Sequence, residues 1–193
     1  MKFSDYILID AINPELTATD AQGVLREMAQ SLVDAGGIEQ EEYEGIVKQL
    51  IKREELGSTS YGGDHGRGIA FPEARHPSVK HTIVALAVSA EGIDFDSIDD
   101  EKIHLFFMLI APTDVPGDFL RVIEHLTRRL KDKDNTLPES LKQAKTREEI
   151  FALLEEADSN NQVERDPFAE YVERETKLRI ARKAIANNSG EIV

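Results

Sequence analysis

The 193-residue chain contains no cysteine. That excludes disulfides, thiolate metal sites and cysteine nucleophiles, and it suits a reducing compartment. Positive charge is scarce: 23 Lys and Arg face 37 Asp and Glu, for a net charge of −14. Non-specific binding to nucleic acid or to an anionic membrane is therefore disfavoured. No apolar run approaches membrane-spanning length, and the first residues, Met1-Lys2-Phe3-Ser4-Asp5-Tyr6, lack the apolar core of a signal peptide. A soluble, cytoplasmic protein with no membrane insertion is the expectation. There is no internal repeat and no low-complexity segment. Hydrophobic residues at 40% and charged residues at 31% fit a globular domain of ordinary size plus an appendage.

The apolar pattern places the elements. Residues 6–12 alternate weakly and read as a short strand or a turn of helix, broken by Asn13-Pro14. Thr19 with Gln22 has capping-box spacing, and Val24, Leu25, Met28, Leu32 and Val33 repeat at helical period before Gly36-Gly37. A second helix is expected over 39–55, with Tyr43, Ile46, Val47, Leu50 and Ile51 on one face and Gly57 at its end. Residues 81–90 and 102–111 are continuous apolar runs, as strands buried on both faces require, with a further short strand expected near 93–95. Asp114 or Asp118 then starts a helix to about 131, Pro138 opens a short one to 144, and Thr146 with Glu149 caps another. Helices, loop, strands and helices in this order predict an α/β fold: a small mixed sheet sandwiched between helices.

The polar stretch 158–161 is the one domain boundary, dividing 1–157 from a linker and C-terminal helix at 158–193. In that last helix Phe168, Tyr171, Val172, Leu178, Ala181 and Ile185 form a partial apolar stripe beside Arg174, Lys177, Arg179, Arg182 and Lys183. It is expected to pack back on its own domain, to bridge a homodimer, or to bind an acidic partner.

Between the second helix and the strands lies 58–79, the only long stretch with neither helical nor strand period. Four glycines (Gly62, Gly63, Gly66 and Gly68) sit among histidines, arginines and carboxylates, and the loop then runs through Ile69-Ala70-Phe71 to Pro72-Glu73. It is not a nucleotide-binding P-loop, because no Gly-Lys-Ser/Thr follows the glycines. The ordered series Arg53-Glu54-Glu55-Leu56-Gly57-Ser58-Thr59, a glycine-rich loop, then Gly68-Ile69-Ala70-Phe71-Pro72 resembles the signature of the type-2 enzyme IIA domains of the bacterial phosphoenolpyruvate-dependent sugar phosphotransferase system. That family includes the fructose and mannitol IIA domains and the nitrogen-regulatory IIA proteins. The likeness extends from Met1 to Ala157 and implies that family's fold.

What the resemblance implies for chemistry is altered at the site itself. In the family a histidine after the proline takes the phosphoryl group from phospho-HPr and passes it to a IIB domain. The matching residue here is Glu73. A second, assisting histidine at the start of the following helix is matched by Phe119, and Asp64-His65-Gly66-Arg67 reads as an insertion. Glu73 is then expected either to imitate the phosphorylated state against Arg53 or Arg75, or to be a solvated residue at a decayed site. His76 or His65 is a displaced acceptor only if it has taken over the chemistry, and both are otherwise expected in solvent. His81 and His104 are placed in strands and His125 in a helix. Arg53, Arg67, Arg75, Ser58 and Thr59 are the expected anion ligands. A zinc set of Asp64, His65 and His76 is chemically conceivable, but neither a metal nor a cofactor is expected. Three functions follow: a non-catalytic regulatory protein binding an HPr-like or regulated protein partner, an active phosphocarrier on His76 or His65, and a small-anion sensor.

Overall fold

The computed structural model describes residues 2–61, 68–114, 116–131 and 136–160. Its frame is a mixed six-stranded sheet: β1 (Ile7–Asn13), β2 (Ser60–Tyr61), β3 (Ile69–Ala70), β4 (Glu73–Arg75), β5 (Ile83–Ile93) and β6 (Ile103–Ala111). The order is β1-β5-β6-β3-β2, with β4 also on β6. β5 and β6 run antiparallel; β1 is parallel to β5, and β3 and β4 are parallel to β6. The two apolar runs become the central pair because they can be covered on both faces. The two-residue alternation of a strand divides them. Phe106, Met108 and Ile110 of β6 pack under α1 (Ala21–Asp34) and α2 (Tyr43–Glu55). Leu105, Phe107, Leu109 and Ala111 pack on the other side, under α3 (Pro116–Lys131), α4 (Leu137–Gln143) and α5 (Arg147–Asn160). This is the expected sheet between helices. Among the described residues no helix is long and apolar enough to cross a membrane.

Several boundaries differ from the sequence reading. Asp20, not Thr19, caps α1: its carboxylate accepts from the Gly23 amide at 2.8 Å, the contact an N-cap must make. β5 starts at Ile83, so His81 precedes the strand and is exposed. β5 also runs on to Ile93, through a break in its register with β6 between Val88 and Ile93. There Gly92 takes φ +70, and the expected separate strand at 93–95 does not form. α3 starts at Pro116 rather than at Asp114 or Asp118, since the first turn of a helix loses nothing by a missing amide. α5 opens as expected, with the Glu149 amide donating to Thr146 Oγ1 at 3.2 Å and the Lys145 amide to Glu149 Oε2 at 2.8 Å. It continues to Asn160, so the first polar residues of the expected linker are helical; extending an existing helix costs far less than starting one. Contacts group Met1–Ala157 into one compact unit and Asp158–Val193 into a second. Of the second, only the end of α5 is described, and the expected C-terminal helix with its dimer role lies outside the described residues.

Candidate functional site

The site is assembled where α2 ends. Leu56 caps the helix, and Gly57 at φ +141 turns the chain away from it. The chain then crosses the sheet edge as β2, returns as β3, and meets Pro72, which has no amide to continue a ladder. The Pro72 carbonyl still accepts from the Leu109 amide at 2.8 Å, which sets β4 in register beside β6, Glu73 opposite Leu109 and Arg75 opposite Ala111. Ala74, between them, joins the core under α2. Glu73, Ala74 and Arg75 line an open cavity of about 310 Å³ with Gln49 and Arg53 of α2 and Phe119 of α3.

Two cations hold this cavity differently. Arg53 Nε donates to Glu73 Oε1 at 2.9 Å, with the arginine side chain 38% and the glutamate 22% exposed. Its Nη1 donates to the Gly57 carbonyl at 3.0 Å, so one guanidinium ties the end of α2 to β4. Arg75 instead lies over the Phe119 ring, its guanidinium carbon 5.2 Å from the centroid, a cation–π contact. Phe119 is itself buried, 6% exposed.

Ser58 and Thr59, expected among the anion ligands, are engaged in holding the loop. Ser58 Oγ donates to the Phe95 carbonyl at 2.6 Å. The Thr59 hydroxyl donates to Glu54 Oε1, and its amide to Glu54 Oε2 at 2.9 Å. Neither residue is among the described ones that line the cavity. Glu54 pays for that position electrostatically. Burial pushes its carboxyl above the usual range and Glu73 adds to the push, while the Thr59 bonds and Arg53 pull it back.

His76 is not in solvent and does not reach the cavity. Its amide donates to the Ala111 carbonyl at 2.9 Å, continuing the pairing with β6 by one residue. Alternation then puts its ring on the side of Ala74, where it is 9% exposed. Nδ1 lies 2.7 Å from Ser78 Oγ and Nε2 3.5 Å from a Glu42 carboxylate oxygen before α2. Arg67, His65 and Asp64 lie outside the described residues. Among the described residues no histidine lines the cavity, and no three His, Cys, Asp or Glu side chains cluster as a metal set would. Two contributors were not singled out in the sequence. Glu54 stood inside the quoted motif, and Gln49 lies one helical turn before Arg53, a spacing that puts both on one face.

Residues 6–157 match the family model described as phosphoenolpyruvate-dependent sugar phosphotransferase system, EIIA 2. The chain is 27% identical over 154 residues to the nitrogen regulatory protein of Bradyrhizobium diazoefficiens, covering 80% of this chain and 95% of that protein. The fold superposes on the nitrogen regulatory protein IIA-Ntr of Neisseria meningitidis with TM-score 0.67 and 26% identity, covering 78% of this chain and 97% of that one. It also superposes on mannitol enzyme IIA from Escherichia coli, solved in complex with phosphorylated mannitol enzyme IIB, with TM-score 0.60 and 25% identity, covering 75% and 94%.

Proposed function

The chain belongs to the EIIA 2 family of the phosphoenolpyruvate-dependent sugar phosphotransferase system, and on that premise we propose that it is a regulatory member of the nitrogen-regulatory type that does not transfer phosphate. It acts in the cytoplasm by binding protein partners, an HPr-like protein or a regulated target, through the surface around Glu73. The observation that carries this reading is the 2.9 Å pair between Arg53 and Glu73. Glu73 stands where the family resemblance puts the phosphoacceptor histidine. A carboxylate with one unit of charge and two acceptor oxygens is a reduced version of a phosphoryl group with roughly −1.5 to −2 and three. Held by Arg53, which also grips the Gly57 carbonyl, it keeps the end of α2 and β4 joined whether or not phosphate is supplied.

The phosphocarrier alternative on His76 is disfavoured by its surroundings. Phosphoryl transfer needs an accessible neutral imidazole nitrogen, and both ring nitrogens of this buried histidine face Ser78 and Glu42. Incubation with labelled phosphoenolpyruvate, enzyme I and HPr decides the matter. No acid-labile phosphate is expected on the protein, whereas Glu73→His returns a nucleophile to the cavity and is expected to take label. Labelling of the unaltered chain that disappears in His76→Ala or His65→Ala overturns the proposal.

A further inference from the structure

A second, separate cavity lies between α1, α2 and the turn that follows β5. We propose that it is an anchoring pocket for a lysine or arginine side chain of a partner protein. Its volume, about 120 Å³, is well short of the roughly 300–1,000 Å³ of small-molecule sites. It has room for one long side chain and no more. Leu25, Ile51 and Phe95 supply apolar walls, while Glu54, Glu55 and Asp96 bring three carboxylates to its lining. A side chain with an aliphatic stem and a cationic head matches both features, stem against the walls and head at the carboxylates.

Charge complementarity is what selects this occupant. Among the described residues none of the three carboxylates forms an ion pair. Arg53, the cation that acts on Glu54, has its Nε committed to Glu73 and its Nη1 to Gly57. Burial has already made ionisation of Glu54 unfavourable, and an incoming cation would relieve that cost. Asp96 is fixed in the left-handed region at φ +50, with its amide donating to Asp94 Oδ1 at 3.2 Å, so the carboxylate is presented from an ordered turn. Two exposed apolar residues stand close to the lining in sequence. Leu56 follows Glu55 and is 79% exposed, and Ile98 lies two residues beyond Asp96 and is 95% exposed. A partner strand or helix with a basic residue between apolar ones fits the combination, and the pocket operates whether or not Glu73 accepts phosphate.

The test is a titration of the isotope-labelled full chain, followed by amide and carboxyl NMR, with N-acetyl-lysine amide, N-acetyl-arginine amide and the uncharged N-acetyl-norleucine amide. The cationic probes are expected to shift the Gln22, Glu55 and Asp96 amides saturably and to lower the titration midpoint of the Glu54 carboxyl. The norleucine probe should bind about two- to five-fold more weakly, the scale of a single exposed ion pair. Glu55→Gln combined with Asp96→Asn should weaken the cationic probes by about the same factor, and asparagine tolerates the positive φ of Asp96, so the fold is kept. Asp96→Asn alone serves should the double variant not fold. Equal binding of norleucine, unchanged binding by the variants, or no saturable shift at these amides overturns the pocket.

Discussion

Among the described residues Arg53 and Glu73 form the one ion pair in the site, yet its value to stability is small. Both side chains keep contact with water, and exposed or half-exposed pairs contribute about 1 kcal/mol or less. Glu73→Gln should therefore lower stability by no more than about 1 kcal/mol in urea unfolding, while loosening the tie between α2 and β4. Its neighbour Glu54 works in the opposite sense. A carboxyl whose folded value is raised gives its full contribution below the ordinary value of 4.5 and loses it as pH rises through the raised one. Glu54→Gln does not ionise, so the stability of the native chain relative to this variant should fall between pH 4 and pH 7, by urea midpoints at the two pH values. A difference that stays flat would contradict the burial argument.

At the scale of elements, the short pieces around the sheet are pinned by single residues. Glu27 on α1 accepts from Asn13 Nδ2 at 2.8 Å, from the Thr17 amide and hydroxyl, each at 3.0 Å, and from the Ala18 amide at 2.8 Å, so it fixes the whole exit from β1. Burial alone would raise its carboxyl, but these bonds together carry it below the ordinary value. The sign is then the reverse of Glu54: the contribution is present above 4.5 and lost as pH falls through the lowered value. Glu27→Gln should cost about 1–2 kcal/mol at pH 7, with the gap closing in acid, measured by thermal or urea unfolding. Gly68 pins the entry to β3. It holds φ +61, and an added Cβ would stand 2.6 Å from the Lys102 carbonyl oxygen, a backbone atom. Its own carbonyl accepts from the amides of His104 and Leu105. Gly68→Ala should destabilise by about 2–3 kcal/mol and displace the strand that leads to Glu73.

For the whole of the compact unit at Met1–Ala157, the β5–β6 pair carries both cores, and the site hangs from its edge. Phe107 of β6 contacts Phe3 at 6.1 Å between ring centroids and stacks on Phe71 at 5.9 Å. Phe71 immediately precedes Pro72 and Glu73, so the packing of one core face sets where the site begins. Phe107→Ala should cost about 3–5 kcal/mol in urea unfolding. It should also speed amide exchange in β4 more than in β1, which lies on the far side of β5. Equal acceleration in the two strands would mean that the core face does not transmit to the site.

The sequence by itself determined the parts with a long, one-dimensional signal. β5 and β6 are legible because burial on both faces leaves an unbroken apolar run, and α1 and α2 because a stripe repeats every three or four residues until glycine stops it. The family frame from Arg53 to Pro72 was legible because its residues are ordered along the chain. Tertiary structure decided what depends on distance through space. β2, β3 and β4 are two or three residues long, too short for a period, and exist through pairing with each other and with β6. Whether Glu73 meets Arg53, twenty residues away, or Arg75, two away, follows from how α2 lies against β4. The same packing turned His76 inward and Ser58 and Thr59 to loop-holding roles, because alternation along a strand has a phase that only its partner strand sets.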